Sequence, residues 1–172
     1  SSPFANSKSA PNSFADLADK VMPSVVNIST TQTITTSANP FPFKFPPGSP
    51  FEEMFKDFNQ PQERKATSLG SGFIIDESGV VVTNNHVVQG AEDIVVRVNG
   101  KEEYKAKILG TDPYADLAVL KIDSNKKFIP VNFGDSDKAR VGDWVVAIGN
   151  PYGLGGTVTS GIISAKHRDV NM

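Results

Sequence analysis

The sequence contains no cysteine and no long apolar run. Without cysteine, the chain can form neither a disulfide scaffold nor a thiolate zinc site, and it has no cysteine nucleophile. The absence of cysteine does not identify the cellular compartment, because cytosolic and periplasmic proteins alike can lack cysteine. No stretch approaches the roughly 18 apolar residues that a membrane-spanning helix needs. The first residues hold neither an initiator methionine nor a signal-peptide core, so we interpret the sequence as a mature or trimmed product.

An excess of charge of one sign is also lacking. The 17 basic and 19 acidic residues give a formal net charge of −2. Such a balance provides no field to hold a polyanion, which argues against a nucleic-acid partner. The 172 residues are 38% hydrophobic, so the chain is long and apolar enough for a globular domain with its own core.

Short β-branched and aliphatic segments dominate the sequence after residue 24. Many short strands at close spacing predict an all-β barrel or sandwich. Asn99-Gly100 and the turn ending in Gly79 supply the positive-φ residues that tight hairpins need. One short helix is predicted over residues 14–21, ended by Pro23. The predicted strands are 25–28, 72–76, 80–83, 94–98, 104–109, 117–122, 144–148 and 157–164.

Residues 39–66 do not fit a compact barrel. This segment holds six of the 11 phenylalanines and six of the 12 prolines, and we interpret it as a long insertion loop. Ser49-Pro50-Phe51-Glu52 has the form of a helix start, which predicts a helical turn with an aromatic face. We expect the phenylalanines to contact another protomer, the loop's own barrel, or an unfolded substrate.

Two histidines are present in the sequence, and His86 is the candidate for chemistry. It follows the apolar strand 80–83, where the chain must turn. Taken alone, it is more simply interpreted as a half-buried histidine with a satisfied hydrogen bond. Asp116 favours the functional interpretation, because a carboxylate at the mouth of an aliphatic strand is costly unless it is paired.

Asp116 has a structural alternative as well, since an aspartate can cap the entrance to a strand. Asp112 fits that alternative better, because the Asp112-Pro113 dipeptide favours a turn. His86 and Asp116 are therefore the candidate functional pair.

Five ordered motifs resemble the HtrA (Do-like, DegP-type) serine proteases, and the resemblance covers roughly residues 14–170. The motifs are Gly70-Ser71-Gly72-Phe73-Ile74-Ile75, Thr83-Asn84-Asn85-His86-Val87-Val88, Ala115-Asp116-Leu117-Ala118-Val119-Leu120-Lys121, the segment 141–154 (VGDWVVAIGNPYGL) and the segment 157–164 (TVTSGIIS).

The resemblance implies a chymotrypsin-like (trypsin-like) double six-stranded β-barrel, with His86 as general base and Asp116 as its orienting partner. It also implies a periplasmic endopeptidase of unfolded or misfolded envelope proteins, with no cofactor or metal, no stable membrane insertion, a trimer as building block and downstream PDZ modules. The expected organisation is a tether over residues 1–12, the helix and first barrel over 13–136, and the start of the second barrel over 137–172.

The sequence departs from the family pattern at the nucleophile. The serines after Asp116 lack the glycine-rich turn that exposes a nucleophile and forms an oxyanion hole. Ser71 precedes His86 and lacks the strand–serine–helix context of a nucleophile elbow. We therefore expect the nucleophile to lie beyond Met172 and the 172-residue chain alone to be inactive. The serines considered are Ser71, Ser124, Ser136, Ser160 and Ser164.

A different class of function stays open on the same fold, namely a non-catalytic chaperone or regulatory module that binds unfolded polypeptides. Three other patterns carry less weight. His167-Arg168-Asp169 resembles a kinase catalytic loop but lacks the accompanying phosphate loop. The glycines at 153–156 do not form a dinucleotide-binding pattern. No histidine spacing predicts a metal site.

Overall fold

A short helix opens the part of the chain that the computed structural model describes, which comprises residues 10–36, 47–48, 50 and 62–166. Helix α1 (Ala15–Val21) runs into a 3₁₀ turn, Met22–Ser24. The Ser13 hydroxyl accepts a hydrogen bond from the Ala15 N–H at 3.1 Å, which satisfies one of the free donors of the first turn. The predicted helix is confirmed.

Six antiparallel strands close into a barrel in the order β1-β2-β3-β6-β5-β4. Alternate residues point inward, as the period of two requires, and Val26, Ile28, Ile74, Val81 and Leu120 are fully buried. The predicted first barrel is confirmed. Its strands are β1 (Val25–Thr36), β2 (Gln62–Asp76), β3 (Val80–Thr83), β4 (Asp93–Val98), β5 (Glu102–Asp112) and β6 (Leu117–Ile122).

Strands β1 and β2 are longer than predicted. Their pairing continues to Thr36 opposite Gln62, so the last five residues of the predicted 39–66 loop belong to a strand. Threonines repeat along β1, and β-branched residues suit a pleated ribbon even where both faces are exposed. The helical turn and the phenylalanines predicted within 39–61 lie outside the described residues.

The tight turns have the predicted geometry. Asn99 and Gly100 both take positive φ, at 52° and 69°, as a type I′ turn requires, and the Lys101 N–H donates to the Val98 carbonyl oxygen at 3.2 Å. Gly79 has φ +90°, and a Cβ there would lie 3.0 Å from Ile122 and 3.1 Å from Phe128. Glycine is therefore favoured at position 79 by its backbone conformation, and a side chain there would also press on Ile122 and Phe128.

A second sheet follows the barrel and has two strands, β7 (Trp144–Gly149) and β8 (Thr157–Ile162), within the described residues. Its apolar side chains are largely exposed, with Trp144 at 45% and Ile162 at 55%. The Phe14 ring, next to α1, packs against Trp144 with 5.9 Å between ring centroids. The N-terminal segment therefore contacts the second sheet. No helix in the described ranges is long and apolar enough to cross a membrane.

Candidate active site

The topology of the barrel brings the two candidate residues together from separate segments. Strand β3 pairs with β6, with Thr83 opposite Ala118. The short helix α2 (Asn85–Val88) begins just after β3, and Asp116 ends the turn just before β6. Residues 30 positions apart in the sequence therefore meet at one end of the barrel.

Asp116 adopts a backbone conformation that most residues avoid, with φ at +53°. Its carbonyl oxygen accepts hydrogen bonds from the Asn85 N–H at 3.1 Å and from the Asn84 side-chain amide at 3.0 Å. A left-handed non-glycine residue persists where its surroundings determine it. These two bonds fix the carboxylate in the direction of His86.

The Asp116 carboxylate bonds His86 through both oxygens. Oδ2 lies 2.6 Å from the ring Nδ1, and Oδ1 accepts from the His86 backbone N–H at 2.9 Å. An ionised carboxylate can only accept hydrogen bonds, so Nδ1 must carry the proton. In the neutral ring Nε2 is then the acceptor, and the His86 side chain is 69% exposed. The alternative of a half-buried histidine is therefore wrong.

Hydrogen bonding stabilises the charged form of Asp116. The bond from the His86 ring is the larger cause, the bond from the His86 N–H is the next, and together they hold the pKa of the Asp116 carboxyl below its ordinary value. Because the pKa is lowered in the folded state, the resulting stabilisation is present above the ordinary aspartate pKa. It is lost as the pH falls through the lowered value.

We expect ¹³C NMR titration of the Asp116 side chain to give a midpoint below the ordinary aspartate range. Replacing His86 by alanine removes the ring donor and keeps the backbone donor, so the midpoint should rise without losing the shift completely. An unchanged midpoint in the His86→Ala protein would contradict the assigned cause.

Asp112 has the structural role predicted for it. Its Oδ1 accepts hydrogen bonds from the N–H groups of Tyr114 at 3.0 Å and Ala115 at 3.2 Å. This is the aspartate turn that the Asp-Pro sequence favours. Asp112 stabilises the turn that leads to Asp116, and its described hydrogen bonds do not involve His86.

The candidate serines do not join the pair. Among the residues that the structure describes, no serine hydroxyl bonds the His86 ring. Ser160 lies on β8, and the Ser124 hydroxyl accepts from the Lys126 N–H. Ser71 accepts from the Asn150 N–H at 2.8 Å. Their interpretation as structural residues agrees with these contacts.

A small cavity of about 240 Å³ lies beside the pair. Thr83 and Asn84, which precede His86, and Leu117, which follows Asp116, form one side of it, and Ile148 of β7 forms another. Most of its lining is apolar, so it offers packing surface next to the histidine. Within residues 10–36 and 62–166, no group of three metal-ligating side chains is present.

Sequence reasoning missed the polar residues that support the pair. The Asn84 amide holds Asp116, and the Thr83 hydroxyl donates to the Ser71 carbonyl at 2.8 Å. Asn84 and Thr83 lie within the motif around His86, but the motif does not reveal their partners. The partner of Asn84 is 32 residues away.

Comparison with known proteins shows that the chain is similar to peptidases. A family model described as a trypsin-like peptidase domain matches residues 70–172. Proteins named probable periplasmic serine endoprotease DegP-like are 44% identical in Brucella suis biovar 1 and 49% identical in Marinomonas sp., each over 91% of this chain. The relative in Rickettsia conorii is 45% identical over 100% of the chain. The chain spans 35–36% of the length of these relatives.

Solved structures agree in fold. A variant of the HtrA-type protease AlgW with a decapeptide superimposes with a TM-score of 0.76 at 39% identity, covering 92% of this chain and 47% of that one. AlgW with a tripeptide gives a TM-score of 0.69 at 36% identity, covering 92% of this chain and 42% of that one.

Proposed function

Because the chain belongs to the trypsin-like peptidase family, among the HtrA (DegP-like) proteases, we propose that it supplies the base and the orienting carboxylate of a serine endopeptidase. The matches to this family confirm the resemblance stated from the sequence motifs. The observation that carries the proposal is the 2.6 Å contact between His86 Nδ1 and Asp116 Oδ2 on an exposed ring. It leaves Nε2 as a proton acceptor at the surface.

In the proposed mechanism, His86 Nε2 takes the proton of a serine hydroxyl as that oxygen attacks the peptide carbonyl. The same nitrogen then delivers the proton to the leaving amine. Asp116 keeps the proton on Nδ1 and stabilises the imidazolium that forms. The serine and the oxyanion donors would come from sequence beyond Met172, in agreement with the greater length of the relatives.

We propose unfolded or misfolded polypeptides of the cell envelope as substrates. The relatives are named periplasmic serine endoproteases, and the similar AlgW structures contain peptides. The periplasm is accordingly the proposed compartment. No cofactor is required by the proposed chemistry.

The test is peptide-bond hydrolysis by a full-length protein containing this sequence. It should degrade an unfolded casein, spare a stably folded protein, and lose activity on reaction with a serine-directed organophosphonate. Cleavage that the phosphonate leaves untouched would contradict a serine mechanism. Suppression of aggregation without any cleavage would contradict the enzyme and favour the chaperone alternative.

We propose further that the protein is a homo-oligomer, with a trimer as its unit. The trimer is what the family resemblance implies, and the six phenylalanines of residues 39–66 are more large apolar side chains than a solvated loop usually carries. Light scattering of the full-length protein should give three times the mass of one chain. A mass equal to one chain at all concentrations would contradict this proposal.

A further inference from the structure

The residue that follows strand β7 is held by the barrel at both ends of its backbone. Ser71 Oγ accepts a hydrogen bond from the Asn150 N–H at 2.8 Å. Asn27 Nδ2 donates to the Asn150 carbonyl oxygen at 2.9 Å and to the Pro151 carbonyl oxygen at 3.2 Å. Asn27 on β1 and Ser71 on β2 are direct partners in the barrel. The Asn27 and Ser71 side chains therefore bind the backbone of Asn150 from neighbouring positions on the barrel.

Glycines allow this close approach. A Cβ at Gly149 would lie 3.3 Å from Ser71 Oγ, and a Cβ at Gly153 would lie 3.2 Å from Asn27 Oδ1. Gly153 also has φ +67°. Asn27 and Asn150 are almost completely buried, at 4% and 7% exposure. A buried amide is costly unless it is bonded, so the bonds from the Asn27 side chain to the Asn150 and Pro151 carbonyl oxygens favour one relative position of the barrel and the second sheet.

Ser71 is also bonded to the strand that leads to His86. Its carbonyl oxygen accepts from the Thr83 hydroxyl at 2.8 Å, and Thr83 is 4% exposed. Thr83 ends β3, and His86 follows three residues later. Ser71 is thus hydrogen-bonded through its side chain to Asn150, at the end of β7, and through its carbonyl oxygen to Thr83, at the end of β3.

We propose that Ser71 is a positioning residue, which acts through Asn150 and Thr83 to set the second sheet relative to the His86–Asp116 pair. The inference rests on the proposed function. In that mechanism the base belongs to the first barrel, and the nucleophile belongs to the part that continues from the second sheet. A base must lie within hydrogen-bond reach of the proton that it accepts. A displacement of about 1 Å between these parts is enough to slow the reaction strongly.

The test measures kcat and KM for Ser71→Ala, Ser71→Cys and Ser71→Thr in a full-length protein, using a fluorogenic peptide. Alanine removes the acceptor, and kcat should fall about tenfold while KM stays within about twofold. Cysteine has nearly the same size and is a weak acceptor, so its kcat should fall between those of alanine and the parent. Threonine keeps the hydroxyl and suits a strand, so it should restore kcat. Ser68→Ala, at an exposed position of the same strand, should leave both constants unchanged.

Amide hydrogen exchange at Asn150 provides a second readout on the same proteins. The Asn150 N–H should exchange faster in Ser71→Ala and return to the parent rate in Ser71→Thr. Faster exchange with unchanged kcat in both the alanine and cysteine proteins would mean that the contact is merely structural, and it would overturn the proposal. A loss of kcat that threonine does not restore would overturn it as well.

The proposed function fails by a different result. If the unsubstituted protein shows no phosphonate-sensitive cleavage, the protease assignment is wrong, and the positioning role falls with it. If that cleavage is present and Ser71→Ala keeps the parent kcat, the protease assignment stands and the positioning role alone is wrong.

Discussion

Replacing Asp116 by asparagine is expected to lower kcat by a factor on the order of 10⁴ in a full-length protein containing this sequence. This loss is equivalent to an increase of about 5.5 kcal/mol in the activation free energy. Asparagine matches aspartate in shape but can present its NH₂ group to the ring. Nδ1 would then become the acceptor and Nε2 would carry the proton, so the base could not accept one from a serine. The measurement is kcat for a fluorogenic peptide, with circular dichroism to verify folding.

Asp112→Asn is the matched control, four residues away in the same turn. Asp112 accepts hydrogen bonds from two backbone N–H groups, and an asparagine oxygen can still accept them. Its kcat should change by less than about tenfold, because the turn keeps its geometry. If Asp112→Asn caused the large loss and Asp116→Asn the small one, the carboxylate would be wrongly assigned.

The strands of the barrel could be predicted because their signal is local, whereas the choice of a barrel over a sandwich came from the family resemblance. Alternating aliphatic residues and the Asn99-Gly100 turn follow from the preferences of neighbouring residues. The ends of β1 and β2 could not be predicted from the same signal. Thr33 to Thr36 and Gln62 to Ala66 have little apolar alternation, and their strand state depends on pairing with each other across the intervening segment.

The site also contains residues with a local sequence signal and residues that depend on long-range contacts. His86 and Asp116 could be named because each occurs in a recognisable motif and the chemistry needs both residue types. Asn27 could not be named, because its contact with Asn150 spans 123 positions and depends on the closure of the barrel. A buried polar residue with distant backbone partners carries no short-range pattern.

Gly70 shows how packing sets a requirement that the sequence leaves unexplained. A Cβ at this position would lie 2.7 and 2.8 Å from the two Cγ atoms of Val87, closer than real contacts allow. Val87 follows His86 in helix α2, is 6% exposed, and its carbonyl oxygen accepts from the Thr30 hydroxyl at 3.2 Å. Helix α2 therefore packs on Gly70 through Val87, and any side chain at position 70 must displace Val87, which directly follows His86.

Gly70→Ala is accordingly expected to lower kcat by about 100-fold, because shifting α2 moves His86 relative to its partners. Overpacking should also lower the free energy of unfolding by about 1–3 kcal/mol. Gly110→Ala is the matched control, since a Cβ at this exposed strand glycine meets no atom within 4 Å, and it should keep the parent kcat.

The second substitution Val87→Ala removes both Cγ atoms that the new methyl group would meet. If the clash is the cause, the double mutant Gly70→Ala/Val87→Ala should be more active than Gly70→Ala alone, although Val87→Ala by itself removes buried apolar contacts and lowers stability. Such non-additivity is the coupling expected of residues in direct contact. Measuring kcat and urea unfolding for all four proteins completes the cycle. Additive effects of the two substitutions, or a Gly70→Ala protein with the parent kcat, would show that α2 does not depend on this contact for the placement of His86.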